Sequence, residues 1–214
     1  MLGIHDLWLF ILSGLLLNIA PGPDSLLVMA RSGAHGWRAG SAAALGIGTG
    51  TLVHVTAAAL GLSALLAASA AAFAVVKLVG AAYLVWLGLG MLLARRRAPG
   101  AAAGDTGDAA TPPTRRRIFL QGLMTNVLNP KVALFFLAFV PQFISPDAPS
   151  KPLAFLVLGV IFDLGGVAWC HVLALSTAFA SRRVRLGANV LPWLNRTLGA
   201  LFVALGVRLA LAQR

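Results

Sequence analysis

The chain contains no glutamate, a single cysteine and a single tyrosine, and charged residues fill only 11% of its 214 positions. A soluble domain carries about 25% charged residues, so this scarcity excludes an ordinary water-facing surface. One cysteine, Cys170, excludes an intrachain disulfide and any cysteine-built metal cluster. All six acidic residues are aspartates, against 17 lysines and arginines, for a net charge of +11. Such a basic excess can signal nucleic-acid binding. Here the arginines lie between apolar runs, which reads as membrane topology and not as nucleic-acid binding. No nucleophile–base pairing, no HExxH and no metal-ligand spacing occurs, and Ser25 beside Asp24 is not a triad. Enzyme chemistry and a resident cofactor therefore have no support in the sequence. The opening MLGIHD lacks the basic stretch of a secretory signal, so the first apolar run reads as a retained helix.

What is present is apolar. Hydrophobic residues make up 59% of the chain and the mean hydropathy is +0.87. A spanning helix needs about 20 mostly apolar residues. Six runs qualify: 6–30, 39–66, 71–94, 118–144, 152–180 and 189–211. None alternates with period two, which argues against a β-barrel. The pattern predicts an all-α integral membrane protein with six transmembrane helices. Arg95–Arg97, Arg115–Arg117 and Arg182, Arg183 and Arg185 fall in the 3–4 and 5–6 connections, and Arg31 and Arg38 in the 1–2 connection. Arginine-rich loops face the cytoplasm, so these three connections are expected there and both termini outside. Segment 98–114, rich in Gly, Ala, Pro and Thr, reads as a flexible cytoplasmic loop.

That loop divides the chain nearly in half, and the halves echo each other. GLLLNI at 14–19 matches GLMTNV at 122–127 with an offset of 108; KLVGA at 77–81 matches RTLGA at 196–200 with an offset of 119. Two ordered matches indicate a duplication: residues 1–94 form a first three-helix repeat, 95–117 a linker and 118–214 a second repeat. Three is odd, so the repeats are inverted. Inverted repeats with broken helices characterise secondary transporters.

Each half carries its break early. Asn18-Ile19-Ala20-Pro21-Gly22-Pro23-Asp24 begins about a dozen residues into the first run, deep in the bilayer at about 1.5 Å per residue. Proline removes a donor and clashes with the preceding turn, and irregular chain at such depth must face protein or a wet cavity. The break frees carbonyls and bares amides that attract anions. Asp24 is then either a substrate or proton site, or a cap on the half-helix it begins. Asn126-Val127-Leu128-Asn129-Pro130-Lys131 breaks the fourth run at a matching depth. Lys131, too deep to snorkel, is placed to pair with Asp24 or to bind a substrate carboxylate. Asp163, in the fifth run, is a candidate proton carrier or ammonium partner, with a hydrogen-bonded packing role as the alternative. His54 is a weaker proton-coupling candidate, since a buried histidine is more often a satisfied interior group. Gly46 and Gly50 form a GxxxG pair that permits close helix packing, within the chain or in a homodimer. Trp8, Trp37, Trp169 and Trp193 read as interfacial anchors.

The paired motifs N-x-x-P-G-P-D and N-x-x-N-P-K, the latter followed by VALFFLAFVPQF, resemble the LysE/RhtB family of bacterial amino-acid exporters. The resemblance extends through the glycine-rich second run, KLVGAAYL in the third and the aspartate of the fifth. It implies a small bacterial inner-membrane protein that exports amino acids or derivatives such as homoserine, threonine or lysine, driven by the proton motive force. The expected substrate site comprises Asn18, Pro21, Gly22, Pro23, Asp24, Asn126, Asn129, Pro130 and Lys131, with protons handled by Asp24, Asp163 or His54. The rival readings are a metal-cation exporter, which would want more Asp, Glu, His or Cys ligands than two deep carboxylates, and a membrane scaffold or membrane enzyme without flux.

Overall fold

The structure, a computed structural model, describes residues 2–62, 70–93 and 112–180, with isolated positions between 196 and 211. Helix α1 (Leu7–Ile19) runs to the first break, and α2 (Pro23–His35) leaves it at an angle of 52°. Gly36 alone joins α2 to α3 (Trp37–Ala57), and α3 passes directly into a π-helical turn, Ala58–Leu62. The joint adopts φ 82° and ψ 171°, a region open almost only to glycine. Arg31 and Arg38, expected in a connection, therefore lie on the helices that flank it.

Helix α4 (Ala70–Leu93) occupies the third apolar run. Helix α5 (Arg115–Val127) begins inside the arginine triplet, capped by Thr114, whose hydroxyl accepts from the Arg117 amide at 3.3 Å. The second break bends the chain by 46° into α6 (Pro130–Leu134). There the long aromatic run does not continue as one α-helix. It loosens into a π-helical turn, Phe135–Phe139, and tightens into a 3-10 turn, Val140–Phe143, with Pro141 in the first turn. Helix α7 (Lys151–Ala180) is a single rod of 30 residues. Among the described residues, Trp37–Gly61 and Lys151–Phe179 are each long and apolar enough to cross a membrane, and the two bent pairs raise the number to four. The expected sixth span lies mostly outside the described residues.

Small residues set the packing. Gly46 lies against the Phe119 carbonyl, Gly50 against Asn126 and the Leu123 carbonyl, and Gly122 against the Ala43 carbonyl. The GxxxG pair thus seats α3 on α5 backbone to backbone. These contacts advance together along both chains, so α3 and α5 run parallel. Gly40 meets Ala174, Gly48 meets Val167, and Gly159 meets Val55, so α7 runs antiparallel to α3. Gly14 meets Phe162 and Asn18 meets Gly166, so α1 runs parallel to α7. It follows that α1 and α5, the two helices that end in breaks, point in opposite directions. Arg38 and Arg115–Arg117 also share one end of the bundle. At the other end Ile4 bridges Ile144, with the Ser145 amide on the Gly3 carbonyl at 2.8 Å.

The core beside the breaks is aromatic. Phe10, Phe135, Phe136, Phe139, Phe143 and Phe162 are buried, and Phe135 stacks on Phe162 with centroids 4.5 Å apart. Such rings pack by offset and edge contacts worth about 0.5–1.5 kcal/mol beyond their area. They wall off one side of the space between the breaks. Many other large apolar side chains point outward, Trp8, Leu60, Trp86 and Phe179 among them, as a lipid-facing surface requires.

Candidate functional site

The site begins with two missing amide hydrogens. In an α-helix the carbonyl of residue i accepts from the amide of residue i+4. Pro21 stands four residues after Leu17 and has no N–H, so the Leu17 carbonyl loses its partner. Pro130 stands four residues after Asn126 and also lacks that amide, but the Asn126 carbonyl accepts instead from the Asn129 amide at 2.9 Å. Buried carbonyls need donors, and other helices supply the donor for Leu17 and a second one for Asn126. Lys131 Nζ donates to the carbonyl oxygens of Leu17 and Ala20, each at 3.1 Å. His54 Nε2 lies 3.1 Å from the Asn126 carbonyl, which fixes Nε2 as the protonated nitrogen.

The carboxylate of the first break is held by the second. Asp24 sits in the first turn of α2, after the extended Gly22 and with Pro23 as the first helical residue. Its side chain does not cap that helix. Oδ2 instead accepts from Asn126 Nδ2 at 2.9 Å and from Asn129 Nδ2 at 3.1 Å. Its other oxygen, Oδ1, is buried and has no hydrogen-bond partner among the described residues. Asn129 caps α6, its Oδ1 accepting from the Lys131 amide at 3.0 Å. Each break thus satisfies the other: the first supplies carbonyls to Lys131, and the second supplies amides to Asp24. Lys131 and Asp24 do not form a direct ion pair. Gly22 lies close against the lysine head group: a Cβ there would stand 3.2 Å from Lys131 Nζ.

A cavity opens beside this lattice. Asp24, Lys131, Asn18, Thr51 and Asn126 line it with polar groups; Leu17, Ile47, Val132, Phe162 and Val167 line it with apolar ones; Gly48, Gly166 and Cys170 complete the wall. Its space for water is about 20 Å³, room for roughly one molecule. Asp163 also lines it and lies close to Gly48, and no side chain or amide among the described residues hydrogen-bonds its carboxylate. Asn18 turns its Nδ2 to the Phe162 carbonyl at 3.3 Å and its Oδ1 toward Gly166.

The sequence-predicted residues thus converge around one space, with different roles. Pro21, Pro23 and Pro130 shape the backbone; Asp24, Asn126, Asn129 and Lys131 make the lattice; Asn18 and Asp163 face the cavity. His54 is not part of the cavity wall and acts on Asn126 from behind. His171 bonds within its own helix, to the Val167 carbonyl at 2.8 Å. Sequence reading missed Thr51, whose hydroxyl approaches Asn126 Oδ1 at 3.4 Å while bonding the Ile47 carbonyl at 3.2 Å. It also missed Gly48. Both lie on the face of α3 that carries His54, at spacings of three, and that periodicity was the available signal. Among the described residues no three His, Cys, Asp or Glu side chains gather as a metal ion would need.

The LysE type translocator family model matches residues 15–213. An uncharacterized membrane protein of Pseudomonas aeruginosa is 37% identical over 220 residues, covering 99% of this chain and 97% of the relative. The homoserine/homoserine lactone efflux proteins of Salmonella typhi and Salmonella typhimurium are each 32% identical over 212 residues, covering 95% of both chains. No solved structure matches.

Proposed function

The chain belongs to the LysE type translocator family, and from that premise we propose that it is a secondary exporter of amino acids or small derivatives of homoserine, threonine or lysine type. It works across the bacterial inner membrane, coupled to the proton motive force. The cargo binds between the two helix breaks. The observation that carries this reading is the reciprocal lattice: charge from each break is held by the other, and capacity is left over on both. An ammonium has three protons, and Lys131 spends two on carbonyls, leaving one for a cargo carboxylate. Asp24 spends one oxygen on two amides, leaving Oδ1 for a cargo ammonium. The carbonyls of Leu17, Ala20 and Asn126 are already taken and are not ammonium sites.

A cavity with room for about one water is too small for an amino acid, so the breaks must part to load. Two half-helices that point in opposite directions, braced mainly by a handful of hydrogen bonds, suit alternating access by rocking one half against the other. Asp163, whose carboxylate has no hydrogen-bond partner among the described residues, is the group best placed to exchange a proton as the cargo leaves. The arginines at one end of the bundle face the cytoplasm, and the duplicated halves 1–94 and 118–214 are inverted copies. A metal cargo is disfavoured by its ligand needs.

Flux in proteoliposomes tests the proposal. Purified protein with an imposed pH gradient should move at least one labelled member of a panel containing homoserine, threonine, lysine and leucine. Protein-free liposomes should not. Absence of flux for the whole panel, with protein that is folded by size-exclusion profile, contradicts it.

A further inference from the structure

Asn126 supplies the shorter of the two amide bonds to Asp24, and α3 holds Asn126 from behind at two atoms. Its carbonyl, which already accepts from the Asn129 amide at 2.9 Å, meets His54 Nε2 at 3.1 Å on its second lone pair. Its side-chain oxygen meets the Thr51 hydroxyl at 3.4 Å. A carboxylate accepts and does not donate, so Asp24 requires Asn126 to present Nδ2. That leaves Oδ1 facing Thr51, the only orientation that satisfies both neighbours. Phe136 lies parallel to the imidazole at a centroid distance of 6.5 Å and an interplanar angle of 5°, which limits how the ring can turn. Asn126 itself is 1% exposed, so no bulk water replaces a lost partner.

We propose that His54 and Thr51 are positioning residues of the cargo site: α3 anchors Asn126 at its carbonyl and its side-chain oxygen and thereby aims the Asn126 amide at Asp24. His54 then acts as a fixed N–H donor and does not carry the transported proton. Around it stand Asn126 and Thr51, Phe136 from the second broken pair, and Asp24 beyond Asn126; among the described residues no acidic side chain bonds the ring. Lys131 does the matching work at the first break, where it donates to the Leu17 carbonyl that Pro21 deprives of an amide. This inference rests on the cargo site proposed above.

The test compares His54→Gln, whose side-chain amide can still donate, with His54→Leu, and Thr51→Ser with Thr51→Val, in reconstituted flux assays. Loss of one buried hydrogen bond to the lattice should raise the half-saturating cargo concentration about five- to tenfold in His54→Leu. Thr51→Val should raise it less, because its bond is the longer one. Maximal rate should fall far less than affinity. His54→Gln and Thr51→Ser should restore most of the affinity, and His54→Gln should keep the wild-type pH profile. If His54→Gln instead abolishes uphill export or shifts the pH profile, His54 is a proton carrier and the inference fails. If His54→Leu keeps wild-type affinity, it fails equally. Absence of flux in the wild-type protein would strike the cargo proposal and leave the positioning claim to be read from stability: His54→Leu should lower the unfolding temperature and His54→Gln restore it.

Discussion

Replacing Lys131 by methionine removes the ammonium but keeps most of the buried stem. Two hydrogen bonds disappear, to the carbonyls of Leu17 and Ala20. Bonds to a charged donor contribute about 1.5–3 kcal/mol each, which sums to about 3–6 kcal/mol. Relief from burying an ammonium offsets part of this loss. The Leu17 carbonyl, deprived by Pro21, has no helical donor to fall back on. A net loss of about 3 kcal/mol follows, equivalent to about 6–12 °C in a chain of this size at about 2–4 °C per kcal/mol. Thermal unfolding of the detergent-solubilised protein, followed by intrinsic tryptophan fluorescence, would measure it. Lys131→Arg should recover part of the loss, limited by the close approach of Gly22 to the lysine head group. Export should collapse in Lys131→Met, because the cargo carboxylate loses its partner. An unfolding temperature within 1 °C of wild type together with an unchanged export rate would refute the claim that Lys131 joins the breaks.

Gly46→Ala drives a methyl into the Phe119 carbonyl, which is backbone and cannot yield; it should cost about 2–3 kcal/mol by unfolding in detergent. Gly36→Ala meets nothing within 4 Å, yet its φ of 82° should still cost about 1–3 kcal/mol through backbone strain alone. Asp163→Asn should preserve cargo counterflow while abolishing accumulation driven by a pH gradient; loss of both together would make Asp163 a cargo ligand instead. A cysteine placed at Ala103, in a Cys170→Ala background, should react with an impermeant maleimide in inside-out vesicles and stay unlabelled in intact cells.

The helix breaks were legible because proline, glycine and a deep carboxylate are costly in a membrane helix, and that cost shows in one line of sequence. The close seam of α3 on α5 was legible from Gly46 and Gly50. The pairings were not. Opposite charge suggests Asp24 to Lys131, but hydrogen-bond demand decides otherwise: proline-orphaned carbonyls draw the ammonium, and Asn126 and Asn129 draw the carboxylate. Those partners are set by where two breaks meet in space, which spacing alone does not give. The arginine triplet looked like part of a linker because charge runs between apolar stretches read as cytoplasmic loops; the Thr114 cap begins the helix there nonetheless. The aromatic tail after Lys131 looked like uninterrupted helix. Pro141 and the fit of Phe135 against Phe10, Phe136 against Phe162 and Phe139 against Phe143 unwind it, a tertiary effect invisible to local pattern.

Equilibrium binding tests the cargo site most directly. Labelled homoserine, or whichever panel member is transported, would be titrated against purified wild type, Asp24→Asn and Lys131→Ala, with each variant first shown to be folded by size exclusion and tryptophan fluorescence. Each substitution removes one charge-assisted contact of about 1.5–3 kcal/mol, so affinity should fall about ten- to a hundredfold in each. Wild-type affinity in both folded variants would contradict a cargo site between the two breaks.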